Sequence, residues 1–114
     1  MSELESELAL QFRLAKLPPW ECEFEAIPGR KFRFDFAFVP QGLLIEVQGG
    51  VWGKRGQGGP AAHSGGMAAN RDAEKANLAT LRGWRVLQLT VNQIRSGQAL
   101  RWVQEALDLG GIEK

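Results

Sequence analysis

Residues 32–48, FRFDFAFVPQGLLIEVQ, decide the fold of this chain. Phenylalanine occupies every second position from 32 to 38. This period of two predicts a β-strand whose four aromatic rings share one face. A Pro-Gln-Gly turn follows, and residues 43–48 are apolar on both faces except at Glu46 and Gln48. Two such runs joined by so short a turn predict a β-hairpin.

Helical and strand patterns alternate around this hairpin. Residues 4–15 have helical spacing, with Ser2 as N-cap and Glu5 as its capping-box partner. Residues 21–26 alternate as a strand with Cys22 in the core, and Ala73 and Leu81 lie on the apolar side of a helix over 67–82. A strand over 84–89 and a helix over about 96–109 complete the order α-β-β-β-α-β-α. We expect a single domain over 1–114, of the α/β class bordering on α+β, with a mixed sheet flanked by helices.

Residues 49–66 have a different composition from the rest of the chain. They hold eight of the fourteen glycines, and basic side chains lie among them. Because such glycine density disfavours regular structure, we expect a Gly-rich basic loop at 49–66. A loop of this length in a small domain indicates a functional segment or disorder.

Length, charge and cysteine content exclude several classes of protein. The 114 residues carry one cysteine, which rules out a disulfide framework and a cysteine-based metal cluster within one chain. No apolar run is long enough for a membrane span, and the acidic start does not match a secretory signal. We therefore expect a cytoplasmic protein with no membrane partner.

Asp35 and Glu46 are the chemically informative positions of the hairpin. Each is a carboxylate in an otherwise apolar strand, and Gln48 points the same way as Glu46 by the period of two. Either acid alone is more simply explained by a solvated strand face. Together they form a pair of converging carboxylates, for which a hard divalent cation such as Mg²⁺ is the usual partner.

The hairpin motif resembles that of a nuclease superfamily. Asp35, ten residues and then Glu46-Val47-Gln48 resembles the D…E-x-K core of the PD-(D/E)XK nucleases. Residues 5–8, ESEL, resemble the E-x-E-L helix of archaeal-type Holliday junction resolvases. Residues 31–38, KFRFDFAF, and 83–87, GWRVL, are similar to small phage nucleases of the very-short-patch-repair-like branch. The resemblance covers about residues 3–90.

The resemblance implies a restriction-endonuclease-like core and roles for particular side chains. Asp35, Glu46 and the Val47 carbonyl would hold Mg²⁺, for which Mn²⁺ can substitute, and Glu5 would complete the shell. Glu7 is the alternative to Glu5, since two residues apart on a helix only one can face the site. Gln48 replaces the usual lysine and would orient the water. The candidate replacement for that lysine is Lys75.

Basic and aromatic residues supply the expected DNA contacts, because phosphates are bound by lysine, arginine and backbone N–H groups. The candidates are Arg30, Lys31, Arg33, Trp52, Lys54, Arg55, His63 and Arg71. The formal net charge of +1 hides a partition. Six acids outnumber two bases in residues 1–27, whereas nine bases outnumber four acids in residues 28–85.

These expectations converge on a Mg²⁺-dependent, structure-selective DNA endonuclease, specifically a Holliday junction resolvase. Resolution of a four-way junction needs two symmetric cuts, which predicts a homodimer with twofold symmetry. Trp84, Trp102 and the last helix are candidates for its surface. The alternatives are a nicking, flap or mismatch endonuclease of the same fold, a non-catalytic DNA-binding module with a decayed site, and a structural domain with incidental acids.

Overall fold

The computed structural model describes residues 2–48 and 60–112, and the side chains of 2–48 and 70–108. Its elements, in chain order, are α1 (Glu3–Leu14), β1 (Glu21–Phe24), β2 (Phe34–Phe38), β3 (Leu43–Val47), α2 (Pro60–Leu81), β4 (Arg85–Leu89), α3 (Val91–Ser96) and α4 (Gln98–Ile112). The strands form one sheet in the order β1-β2-β3-β4. The predicted mixed sheet flanked by helices is confirmed.

The central hairpin forms as predicted, and its register brings the two acidic positions together. β2 pairs antiparallel with β3 through Phe36↔Ile45 and Phe38↔Leu43. β3 then pairs parallel with β4, since α2 lies between them in the chain. Parallel neighbours need such a crossover connection, whereas antiparallel ones can be joined by a tight turn.

Two apolar clusters cover the two faces of the sheet. One joins Phe36 and Phe38 to helices α1, α3 and α4, with Phe12 at its centre. The Phe12 ring meets the Phe36 ring edge-on at a centroid distance of 5.3 Å. The other cluster joins Ala37 and Phe34 to Ala79 of α2. The sheet therefore lies between α2 and the remaining helices.

The phenylalanines do not share one face, so that prediction is wrong. Phe36 and Phe38 pack towards α1, but Phe34 packs with Ala37 on the α2 side. The backbone ladder with β3 ends at Phe36, and the Asp35 carboxylate accepts the next N–H of β3 instead. At Phe34 the backbone of β2 is therefore not paired with β3, and the side chain need not follow the alternation of Phe36 and Phe38.

Cys22 is exposed, although the alternation predicts it in the core. β1 is an edge strand, and Glu23 within it has a φ of 52°, in the left-handed region. A left-handed residue breaks the simple alternation of faces along a strand. β1 also ends at Phe24, two residues earlier than expected.

Helix boundaries differ from the predicted ones at three places. α2 begins at Pro60, so the expected loop is wrong for residues 60–66. Proline suits the first helical position, and the two alanines after it favour a helix. The expected last helix over about 96–109 is present as α4, but the predicted element order lacks α3, a short helix before it that ends at Gly97 with a φ of 88°. α4 also continues through Gly110 and Gly111 to Ile112.

The buried face of α2 differs from the expected one. Ala73 is exposed and Leu81 is 82% exposed, whereas Ala79 is fully buried against the sheet. Lys75 lies one helical turn before Ala79 and therefore shares its inward face. Within residues 2–48 and 60–112, no helix combines the length and the apolar character needed to cross a membrane.

Candidate active site

A cavity of about 840 Å³ opens beside the hairpin on the side of α1 and α3. The first turn of α1 forms one wall, and the floor contains Asp35, Glu46 and Val47. Lys75 reaches it from α2, and Asn92 and Arg95 line it from α3. Helices α1, α2 and α3, which are separated in the chain, thus surround the two hairpin carboxylates in one cleft.

Asp35 and Glu46 are fixed by reciprocal hydrogen bonds across the hairpin. The backbone N–H of Val47 donates to Asp35 Oδ2 at 2.7 Å. The backbone N–H of Asp35 donates to Glu46 Oε1 at 3.3 Å. Each carboxylate therefore uses one oxygen on the neighbouring strand, which orients both groups towards the cavity.

Lys75 neutralises Glu46 inside the site. Its Nζ lies 2.5 Å from Glu46 Oε2, and the two side chains are only 13% and 17% exposed. The same ammonium lies 4.6 Å from the centroid of the Phe34 ring. The displaced Phe34 ring and the inward face of α2 thus together place a lysine at the carboxylates, although the hairpin motif itself carries Gln48.

The structure distinguishes between the two candidate glutamates of α1. Glu5 lines the cavity, and one of its carboxylate oxygens lies within 4.8 Å of one oxygen of Asp35. Glu7 lies on a different side of the helix and accepts two hydrogen bonds from Arg95. Ser2 caps α1 by accepting the Glu5 backbone N–H at 3.1 Å, as predicted. Glu5 is therefore the residue of α1 that belongs to the site.

Glu23 is a site residue that the sequence reasoning missed. One oxygen each of Glu5, Glu23 and Asp35 lie within 4.8 Å of one another. Glu23 is exposed, and the alternation of residues 21–26 carries no signal for its left-handed backbone. Only the register of β1 on β2 indicates a third acid near the pair, because the residues on either side of Glu23 pair with those on either side of Asp35.

Burial and neighbouring negative charge raise the pKa of two of these carboxyls, Asp35 and Glu5. Burial raises the pKa of Asp35 to about 6, and the charges of Glu46 and Glu23 add to that effect. The hydrogen bonds from Val47 and Glu5 act in the opposite direction. Burial and the Asp35 charge also raise the pKa of Glu5. This pattern is that of a carboxylate group with too little positive charge nearby.

The donor chemistry of this group fits a hard divalent cation. Asp35, Glu46, Glu5 and Glu23 offer carboxylate oxygens, which Mg²⁺ prefers. A cation between them would offset the burial and the negative charge that raise the pKa of Asp35. Lys75 already neutralises one oxygen of Glu46, whereas Asp35, Glu5 and Glu23 form no ion pair within the described part of the chain.

Gln48 and Val47 differ in their relation to the cavity. Gln48 is not among the described residues that line the cavity, and its backbone N–H donates to the Leu89 carbonyl at 2.8 Å. Val47 does line the cavity, and its N–H donates to Asp35, while the role of its carbonyl as a metal ligand stays a prediction. The proposed water-orienting role of Gln48 therefore has no support in the cavity geometry.

The expected DNA-contacting residues are only partly gathered at the site. Arg33 lines the cavity and pairs with Glu25 at 3.3 Å. Arg30 lies 2.9 Å from Glu74, while Lys31 and Arg71 are exposed. Trp52, Lys54 and Arg55 lie outside the described residues, and so does the side chain of His63, whose backbone belongs to α2.

Comparisons of the chain with protein-family models, curated proteins and solved structures return no match. The function is therefore inferred from the cavity and the side chains that line it.

Proposed function

We propose that this protein is a Mg²⁺-dependent DNA endonuclease with a restriction-endonuclease-like core, and that it cuts four-way junctions. The observation that carries the proposal is the contact between Lys75 and Glu46 beside Asp35, in an open cleft. Two carboxylates can hold the cation that assists phosphodiester hydrolysis, and a lysine beside them can stabilise the charge that develops on the phosphate. In this chain the lysine comes from α2 and not from β3.

The side chains divide the work of hydrolysis between them. When bound, Mg²⁺ supplies Lewis-acid chemistry and lowers the pKa of water. Asp35 and Glu46 would hold it, with Glu5 and Glu23 at its edge, and the Val47 N–H keeps Asp35 oriented. Lys75, paired with Glu46 at the edge of the site, would stabilise the negative charge that develops on the phosphate during attack. Water would add to phosphorus and lose a proton to solvent, while the bond to the leaving sugar oxygen breaks and that oxygen takes up a proton from solvent.

A panel of DNA substrates tests this proposal. Purified protein is incubated with a four-way junction, a flap, a mismatched duplex and a linear duplex, in Mg²⁺, Mn²⁺ or EDTA. We expect paired, symmetric nicks near the crossover with either metal and none in EDTA. Glu46→Gln abolishes cutting, whereas Asp108→Asn on the exposed side of α4 retains it.

The other outcomes of this panel favour the alternatives. Preferential cutting of the flap or the mismatch would identify a related endonuclease with a different substrate. Binding of DNA without cutting in both metals would identify a non-catalytic module. Equal cutting of the linear duplex would contradict junction selectivity.

A homodimer is part of the junction proposal. Trp84, one candidate for its surface, is half-buried and packs on Phe24 at a ring distance of 5.6 Å, so it contributes to the core. Trp102 is 37% exposed and Leu14 is 75% exposed, which leaves them available for contact. Sedimentation should give twice the chain mass of 12.6 kDa, and a monomer at assay concentrations would contradict resolution by one complex.

A further inference from the structure

Arg95 on α3 was not among the expected DNA-contacting residues, yet it lines the same cavity as Asp35. Its Nε donates to Glu7 Oε1 and its Nη2 to Glu7 Oε2, both at 3.1 Å. This is the fork geometry in which a guanidinium and a carboxylate are held most firmly. The Arg95 side chain is 58% exposed, so an incoming ligand can reach its remaining N–H groups.

Arg33 repeats this arrangement at another part of the cavity lining. Its Nε donates to Glu25 Oε2 at 3.3 Å, and the side chain is 60% exposed. Within the described residues, neither Glu25 nor Glu7 lines the cavity, whereas both arginines do. Each guanidinium is thus hydrogen-bonded to an acid outside the cleft, while the guanidinium itself lies at the cleft surface.

A cleft built around carboxylates repels a phosphodiester unless cations offset that repulsion. Lys75 is largely engaged with Glu46, which leaves the two arginines as the exposed cations of the described cavity lining. A planar guanidinium matches phosphate oxygens in a bidentate way, and prior fixation reduces the entropy lost on binding. The chemistry at this part of the cavity is therefore that of a phosphate subsite.

We propose that Arg95, held by Glu7, binds a backbone phosphate next to the one at the carboxylates. The substrate strand then crosses the cleft between Arg33 and Arg95. This inference rests on the proposed nuclease function and deepens it, because it fixes the path of the strand. It also assigns to α3 a role in positioning the substrate.

Equilibrium binding of a labelled four-way junction tests the role of Arg95. Fluorescence anisotropy is measured over a salt series in EDTA and in Ca²⁺, another hard cation that takes oxygen ligands. Arg95→Gln should weaken binding about tenfold and reduce the slope of log K against log salt by about 0.9, the value for one lost phosphate contact. The matched control is Arg101→Gln, an exposed arginine of α4, which should change neither quantity.

Glu7→Gln separates fixation of Arg95 from overall charge. It makes the protein more positive, so a simple charge effect predicts tighter binding. Fixation by Glu7 predicts binding about threefold weaker, because Arg95 must then be ordered by the substrate. Thermal melting of each variant verifies that it is folded at the assay temperature.

Each result has a distinct meaning. Wild-type protein that binds no DNA in either condition would overturn the proposed function itself. Wild-type binding that Arg95→Gln weakens no more than Arg101→Gln would overturn only this inference. Tighter binding by Glu7→Gln would overturn the positioning role of Glu7.

Discussion

Lys75 supplies the positive charge that the hairpin motif lacks. The hairpin carries Gln48 where a lysine is expected, and an amide cannot supply positive charge to a phosphate. Lys75 reaches Glu46 from α2 because its position, four residues before the buried Ala79, turns it inward. Its ammonium, rather than Gln48, is the cation at the carboxylates.

Lys75→Met is expected to slow junction cutting by roughly 100-fold or more, the usual effect of removing one group that stabilises transition-state charge. Single-turnover cleavage in Mg²⁺ measures it. Lys16→Met, at an exposed position after α1, serves as the matched control and should cut at the wild-type rate. Gln48→Ala is expected to cut much faster than Lys75→Met. A slower cutting rate for Gln48→Ala than for Lys75→Met would mean that Gln48, and not Lys75, takes the place of the usual lysine.

The raised pKa of Asp35 predicts how the stability of the protein changes with pH. Folding raises its pKa from the ordinary value of 3.8 to about 6, so the folded protein binds this proton more tightly than the unfolded chain does. The free energy of unfolding of the metal-free protein therefore receives a contribution from Asp35 that falls as pH rises from about 4 to about 6. Urea denaturation in EDTA across this range measures it.

Asp35→Asn is the reference for this measurement, because it removes the titration and keeps an oxygen for the Val47 N–H. We expect the stability of wild type relative to Asp35→Asn to decrease with rising pH. A relative stability that increases over the same interval would mean that the Asp35 pKa is lowered by folding, contrary to the description of the site.

At the scale of elements, the sequence predicts periodic structure well and interruptions poorly. The hairpin and the Ser2 cap follow from spacing and are confirmed. The common face of the four phenylalanines is not, because the Asp35 carboxylate replaces a backbone partner at that point. Periodicity describes continuous elements, and functional residues interrupt them here.

Gly97 illustrates such an interruption. It separates α3 from α4 with a φ of 88°, and no atom lies within 4 Å of an added Cβ. Gly97→Ala should therefore destabilise the protein by backbone strain alone, about 1–2 kcal/mol. Chemical denaturation measures this, with Arg101→Ala as a control that should cost far less. Unchanged stability would mean that this junction can adopt another conformation.

At the scale of the whole molecule, the site is a product of tertiary assembly. Asp35 and Glu46 were predicted from one stretch of sequence, and Glu5 from a resemblance. Glu23 and Arg95 gave no usable signal, because their relation to the site depends on a strand register and on the packing of α3 against α1. Local patterns identify the floor of the cavity, whereas its walls require the folded chain.

The charge partition along the chain acquires a more specific meaning in the fold. Two acids of residues 1–27, Glu5 and Glu23, lie near Asp35 of the basic segment. Arg30 and Arg33 of the basic segment are in turn paired with Glu74 and Glu25. Unlike charges are therefore paired locally in the fold as well as separated along the chain.

The proposed function depends on the binding of a divalent cation by the carboxylates around Asp35. Calorimetric titration of Mg²⁺ and of Mn²⁺ into the metal-free protein at about pH 7.5 measures this binding, because Asp35, with a pKa of about 6, is then largely ionised. We expect saturable binding that is lost in Asp35→Asn and retained in Asp108→Asn, together with a higher melting temperature in the presence of the metal. Equal binding by wild type and Asp35→Asn, or no binding by either, would contradict this expectation.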